Sequence, residues 1–286
     1  MQPTKERNHQ AIFIIHEKEG ILLDCGEGTQ RQLKIANIKP SKISRILITH
    51  WHGDHVLGLP GLLQTLSASE YERKLYIYGP KGTKKNLENL FRAFLFFPSF
   101  DFEIIELKNN SSIDLKKLKI QVKELEHGVP CIGYSLIEKD RRRIKKKKVD
   151  KLGIPEGPLL GKLQNNKIIT WKGEKISPKD TTYLVKGKKI SFVFDTIVCK
   201  NCYELAKDSD LLISEASYTS EHENKAEENK HLTAKQAAQI ASQSNVKKLV
   251  LSHLSQRYKT SKEILDDAKT VFDNVNVAHD FMKIKV

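Results

Sequence analysis

Three imidazoles and a carboxylate crowd into one short stretch of the chain: His50, His52, Asp54 and His55, in THWHGDH. Both flanks are apolar, ISRILI before and LGLPGLL after, so the cluster falls where side chains would otherwise be buried. Burying such groups without partners is costly, and ligating a cation offsets that cost. Imidazole combined with carboxylate suits Zn²⁺, or Mn²⁺ and Fe at similar sites. In an extended segment His50 and His52 share one face and can reach one ion. Asp54 and His55 fall where the chain turns towards a helix and can face a neighbouring position.

Three more candidate ligands end apolar runs further along. His127 closes KIQVKELE, Asp195 closes ISFVF and His253 closes VKKLVLS, as His50 closes ISRILIT. In an open α/β sheet the crevice beyond the strand carboxyl ends is where sites form, so these distant residues can converge. A carboxylate such as Asp195 fits between two ions about 3.5–4 Å apart.

The elements needed to position them are legible as alternating strands and helices, the pattern of layered α/β architecture. Residues 10–30 read as a hairpin followed by a Gly-rich loop, and 29–37 as a short helix. Then come a strand at 43–50, a helix at 57–69, a strand at 74–80 and a helix at 83–96. After 111–127 the texture changes: from 138 to 180 hydrophobicity thins, charge rises, and Gly and Pro punctuate the chain. Alternation resumes with strands at 188–196 and 209–217, a helix at 233–245 capped by Thr233, a strand at 246–253 and a helix at 261–274. The simplest parse is a core in two halves, 1–137 and 181–286, interrupted by an insertion at 138–180. No fixed-period repeat is present.

With 286 residues, 39% of them hydrophobic, the chain can bury a sizeable core. A mean hydropathy of -0.47 and the absence of a long apolar run predict no membrane span. MQPTKERNHQ has no apolar leader, and four scattered cysteines make no disulfide framework, so a reducing, cytoplasmic setting is expected. A formal charge of +14 points to a polyanionic partner. Its densest run is RRRIKKKK, with Arg141, Arg142, Arg143, Lys145, Lys146, Lys147 and Lys148, a density suited to salt-dependent phosphate contacts.

THWHGDH resembles the H-x-H-x-D-H signature of the metallo-β-lactamase fold superfamily, and within it the chain resembles the ribonuclease Z family of tRNA 3′-processing endonucleases. PTKERN matches that family's P-x-K-x-R-N loop and LLDCGEGTQRQL its segment with an orienting Asp. SEAS stands at its H-E-A-T loop, HLT at its H-S-T, and IPEGPLLGKLQ resembles the Gly-Pro motif of its tRNA-gripping arm. The likeness spans essentially the whole chain.

The resemblance implies an αββα sandwich with an inserted flexible arm and a two-zinc site, Mn or Fe being alternatives. His50, His52 and His127 would hold one ion, Asp54, His55 and His253 the other, with Asp195 bridging and Asp24 orienting a ligand histidine. Asp54 would take a proton from water, and His231, oriented by Glu215, would give one to the leaving oxygen. Lys5 and Arg7 would contact the substrate, as would the basic run and Gly157 and Pro158 on the arm.

Precursor tRNA is the implied partner, and a homodimer is expected. The sequence departs from the family where Ser214 replaces the H-E-A-T histidine and Leu232 the H-S-T serine. The family opens with a strand just before P-x-K-x-R-N, where Met1 falls here, so the first strand is expected to be missing. Cys199-x-x-Cys202 reads as incidental, LFRAFLFFPSF as core and His279 as a packing residue. The rival readings are another hydrolase on the same fold, acting on phosphodiesters or thioesters, and a metal-dead RNA-binding protein.

Overall fold

A computed structural model describes all 286 residues. The chain opens with the antiparallel hairpin β1 (Ile12–His16) and β2 (Glu19–Leu23), followed by helix α1 (Thr29–Ile35). Next come β3 (Arg45–Leu47), α2 (Gly53–Val56), α3 (Leu59–Ala68), β4 (Leu75–Gly79), α4 (Thr83–Ala93) and β5 (Phe102–Glu106). These five strands form one sheet in the order β1-β2-β3-β4-β5, parallel from β2 onward. The second sheet begins with β6 (Ser112–Asp114), β7 (Leu118–Leu125) and β8 (Cys131–Glu138), paired antiparallel.

An excursion then leaves the sheet on a two-stranded antiparallel stalk of β9 (Arg141–Ile144) and β12 (Thr182–Val185). At its end are α5 (Lys146–Lys151), α6 (Pro158–Gln164), the hairpin β10 (Ile169–Trp171)–β11 (Glu174–Ile176) and α7 (Pro178–Thr181). The thin hydrophobicity of this stretch still suffices for a small core of Val149, Ile154, Leu163, Ile169 and Ile176. The tip is therefore a folded module on a narrow stalk.

The second sheet is completed by β13 (Lys189–Val193), β14 (Leu211–Glu215), β15 (Leu249–Ser252) and β16 (Val275–Val277), with the order β16-β15-β14-β13-β8-β7-β6. Helices α8 (Lys200–Ala206), α9 (Glu223–Glu228), α10 (Ala234–Gln243) and α11 (Lys262–Lys269) lie between them in sequence. As expected, Thr233 caps α10: its side chain accepts the Gln236 N–H, and Gln236 returns the bond to the Thr233 N–H.

Three apolar clusters define the layers. One joins inward residues of both sheets, among them Leu23, Leu47, Tyr78, Val122, Tyr134, Phe194 and Val250. A second packs the outer face of the first sheet under α1, α3 and α4, through Leu33, Leu62, Leu66, Leu87 and Phe91. A third packs the other sheet under α8, α10 and α11, through Leu205, Ile240 and Ile264. The result is helix, sheet, sheet, helix, the expected αββα sandwich.

Two expectations about apolar or aromatic residues are corrected. In LFRAFLFFPSF Phe91 and Phe100 are buried and Leu90 and Phe96 pack against them at the core's edge, while Phe94, Leu95 and Phe97 are 55%, 94% and 71% exposed. The helix stops at Ala93 and Leu95 adopts a left-handed conformation (φ 49°), which breaks the helical face and leaves Phe94, Leu95 and Phe97 outside the core. His279 lies beyond β16, exposed, its Nδ1 near the Asp280 carbonyl, and packs no core.

Candidate metal centre

The strand ends deliver the candidate ligands as expected. His50 follows β3, His127 follows β7, Asp195 follows β13 and His253 follows β15, each just beyond the carboxyl end of its strand. His52 is extended (φ -72°, ψ 149°), and Asp54 and His55 occupy α2 directly after it. Asp24, Asp195 and His253 adopt left-handed backbone conformations (φ 54°, 44° and 57°), which non-glycine residues rarely occupy. Such strain is found where surrounding structure fixes a side chain for a purpose.

The donor atoms form two groups that meet at Asp195. His50, His52, His127 and Asp195 make one; Asp54, His55 and His253 make the other, with all donors of a group within 4.8 Å. His50 Nε2 is 3.0 Å from His52 Nδ1 and 3.6 Å from Asp195 Oδ2, and His127 Nε2 is 3.2 Å from His52 Nδ1. In the second group His55 Nε2 and His253 Nε2 are 3.1 Å apart, and each is 3.5 Å from Asp195 Oδ1. Asp54 Oδ2 is 3.3 Å from His253 Nε2.

These residues fit divalent cations on the structure's own terms. Ring nitrogens face one another at distances where at most one of each pair can carry a proton, so lone pairs converge on shared space. Asp195 Oδ1 is buried with no hydrogen-bond partner, an arrangement that a cation would satisfy. The α-ammonium of Met1 already pairs with Asp54. Burial lowers His50, His52 and His127, favouring the neutral, ligating form. Burial alone would raise Asp54, but its hydrogen bond with His253 and the charge of His55 pull it well below the carboxylate range.

His50, His55, His127 and His253 are each held by the nitrogen they do not aim inward. Asp24, fully buried, accepts the Thr49 N–H (2.8 Å) and lies 2.8 Å from His55 Nδ1. The Thr49 hydroxyl bridges Asp24 Oδ2 (2.9 Å) and His50 Nδ1 (3.1 Å). His127 Nδ1–H donates to the Lys230 carbonyl at 2.9 Å. On the far side the Ser217 hydroxyl donates to Glu215 Oε2 (2.8 Å) and faces His253 Nδ1 (3.1 Å). Thr49, Ser217 and Lys230 are absent from the sequence reading. A hydroxyl directly before His50 and another two residues after Glu215 were the available signals; a backbone carbonyl leaves none.

Glu215 is buried and serves three groups. Its Oε1 accepts the Thr196 N–H at 2.7 Å, beside Asp195, and its Oε2 accepts from Ser217 and from His231 Nδ1 at 2.9 Å. Burial would lower His231, but Glu215 and then Asp195 override it and raise the imidazole to about 9. His231 therefore carries its proton at neutral pH, with its ring centroid 5.3 Å from that of His127 and 5.6 Å from that of His253. Ser214, at the family's histidine position, is buried with its hydroxyl turned to the Glu215 carbonyl.

Residues expected to touch substrate are dispersed. Lys5 is exposed, but Arg7 is half-buried and donates to the Tyr258 carbonyl at 2.6 Å, pinning the loop after His253. Arg141, Arg142 and Arg143 belong to stalk strand β9, where Arg142 Nε donates to Thr182 Oγ1 (2.8 Å) and Arg141 pairs with Glu138. Lys145 precedes α5, and Lys146, Lys147 and Lys148 form its first turn. Gly157 (φ 134°, ψ -149°) has a conformation essentially restricted to glycine, and Pro158 opens α6.

A family model for the metallo-beta-lactamase superfamily matches residues 4–130, the half that carries the H-x-H-x-D-H cluster. Ribonuclease Z of Archaeoglobus fulgidus is 41% identical over 99% of this chain and 94% of its own length. The chain belongs to the ribonuclease Z family. Ribonuclease Z of Pyrococcus horikoshii is 39% identical over 100% of this chain and 93% of its own. Among solved structures, the short form of human tRNase Z superposes with a TM-score of 0.72 at 28% identity, covering 100% of this chain and 95% of that one. No helix is long and apolar enough to cross a membrane.

Proposed function

We infer that this ribonuclease Z family chain is a metal-dependent endoribonuclease that removes the 3′ trailer of precursor tRNA, cutting after the discriminator nucleotide and leaving a 3′-hydroxyl. The observation that carries the chemistry is the pair of donor groups joined at Asp195 with the protonated His231 beside them. The reading assigns two zinc ions per subunit, with Mn or Fe as substitutes. His50, His52 and His127 would hold one, Asp54, His55 and His253 the other, with Asp195 available to both. Such ions, when bound, acidify water and neutralise charge on phosphoryl oxygens.

The side chains supply the proton traffic. Asp54, kept ionised by its histidine neighbours, accepts the proton of the attacking water. His231 hands its Nε2 proton to the departing 3′-oxygen while Glu215 holds Nδ1 and steadies the imidazolium. Asp24 and Thr49 on one side, Ser217 on the other, fix the ring planes of the ligand histidines.

The insertion at 138–180 is the tRNA-binding arm in this reading. Lys146, Lys147 and Lys148 crowd the positive end of the α5 dipole, with no acidic residue in the turn. That placement costs about 0.3–1 kcal/mol per charge, which a polyanionic ligand would offset. Lys5, Arg7, Arg141, Arg142, Arg143, Lys145, Gly157 and Pro158 complete the proposed substrate contacts. A homodimer suits the exposed apolar patch of Phe94, Leu95 and Phe97. A cytoplasmic location suits four cysteines that stand as free thiols.

Joining β9 directly to β12 by a short turn removes the module without touching the sandwich. Cleavage of a 3′-extended tRNA should then be lost while hydrolysis of bis(p-nitrophenyl) phosphate persists. Loss of both would give the module a structural role, and retention of both would dismiss it as an arm.

A further inference from the structure

Two of the four free thiols face each other. Cys199 and Cys202 have their Sγ atoms 3.4 Å apart where the loop after β13 enters α8. A disulfide needs about 2.05 Å, so closing the bond asks for roughly 1.4 Å of sulfur movement. Cys199 sits at the edge of the surface, 8% exposed, while Cys202 is fully enclosed. The S–H of Cys202 donates to Cys199 and, against burial, brings the outer thiol down to about 6, while the inner one is pushed well above its ordinary value. An outer thiolate backed by an inner thiol is the arrangement of a nucleophilic and a resolving cysteine. Cys25 and Cys131, by contrast, are buried without a cysteine partner, and burial raises both.

We propose that Cys199 and Cys202 are a redox-active dithiol that closes reversibly to a disulfide and, in doing so, resets the loop that carries Asp195. The oxidant is a low-molecular-weight disulfide of the glutathione type. The Cys199 thiolate attacks one of its sulfurs, forming a mixed disulfide and expelling one thiolate. Cys202 then attacks the Cys199 sulfur, and its proton passes to the departing sulfur, which leaves as the second thiol. The protein dithiol gives up two electrons, and the small disulfide takes them to become two thiols.

The same loop connects the pair to the metal centre. Cys202 Sγ lies 3.8 Å from the Ile197 carbonyl, a contact that moving the sulfur into a disulfide would alter. Ile197 N–H donates to the Glu126 carbonyl at 3.0 Å, and Glu126 N–H returns a bond to Thr196 Oγ1 at 3.0 Å. Thr196 follows Asp195, Glu126 precedes His127, and Thr196 N–H is held by Glu215. Cys199 and Cys202 also share a packed cluster with Leu125, Cys131 and Val193. A shift of Ile197 therefore reaches two proposed ligands through hydrogen-bonded backbone, and Asp195 already holds a strained φ of 44°. Changes in the groups that orient ligands typically alter metal affinity about 10–100-fold. This coupling rests on the ligand assignment above; formation of the disulfide does not.

The test equilibrates the metal-loaded full chain in glutathione buffers from reducing to oxidising, alkylates free thiols and maps them by mass spectrometry. The same samples are titrated with a chromophoric chelator. The proposal expects a Cys199–Cys202 disulfide reversed by dithiothreitol, Cys25 and Cys131 still alkylatable on unfolding, and zinc held at least about tenfold more weakly in the oxidised form. Cys202→Ser should trap glutathione on Cys199, and Cys199→Ser should trap none. The double variant C199S/C202S should bind zinc alike in every buffer. No disulfide in native protein, glutathione on Cys202, or equal zinc affinity in both redox states would overturn the proposal. Failure of the reduced protein to bind zinc would defeat the ligand assignment instead, with thiol mapping still deciding the dithiol.

Discussion

Glu215→Gln preserves the shape of a buried side chain and deletes one charge, so its effect on His231 can be worked through. The carboxylate lies 2.9 Å from His231 Nδ1 and is the leading cause of the rise from 6.5 to about 9. That rise corresponds to roughly 3 kcal/mol favouring the imidazolium, with little solvent screening because the side chain is only 17% exposed. Because His231 is raised, its proton is present below about pH 9 and lost as pH climbs through that value. Without the charge only Asp195 still opposes burial, so the imidazole falls well below about 9 and holds its proton less firmly at neutral pH. Single-turnover cleavage of a 3′-extended precursor tRNA should fall about tenfold or more at pH 7.5. Its alkaline limb should move from near pH 9 towards acid, with activity recovering as pH falls. Hydrolysis of bis(p-nitrophenyl) phosphate, whose phenolate departs without a proton, should change less than about threefold. An unmoved alkaline limb, or equal losses on both substrates, would refute the acid role and leave Glu215 as a tether for Thr196 and Ser217.

Thr49→Val removes the hydroxyl that joins Asp24 to His50 without changing shape, and should weaken zinc binding about 10–100-fold in chelator competition while Thr49→Ser restores it. Unchanged affinity in the valine variant would contradict a positioning role. Removing metal from the wild type should lower the unfolding midpoint in scanning calorimetry, since the ion binds only the folded ligand set; identical transitions with and without chelator would count against a metal centre. Light scattering should give a two-chain mass that Leu95→Asp reduces to one, and a one-chain mass for the wild type would remove the dimer reading.

Four of the candidate ligands were legible because each ends an apolar run, and strand ends are where a layered α/β fold gathers chemistry. His50, His127, Asp195 and His253 show this across two sheets. The groups that hold those histidines were less visible. Thr49 and Ser217 look like any hydroxyls in sequence, and the Lys230 carbonyl leaves no trace at all. The insertion's core of Val149, Ile154, Leu163, Ile169 and Ile176 is spaced too irregularly to register as periodicity, so only thin hydrophobicity and high charge stand out there. Phe94, Leu95 and Phe97 mislead in the opposite direction: an apolar run implies burial only while the helix continues, and this one ends at Ala93. Cys199-x-x-Cys202 gained meaning only from the 3.4 Å between its sulfurs and from the loop they share with Asp195.

The central claim is tested most directly by one cleavage map. A 3′-extended precursor tRNA is incubated with the protein, with and without chelator, and the ends of the products are determined. The expected result is a single metal-dependent cut immediately 3′ of the discriminator nucleotide, a 3′-hydroxyl on the tRNA, loss of cleavage with chelator and its return on adding zinc. Cleavage elsewhere, cleavage unaffected by chelator, or none with metal restored would contradict it.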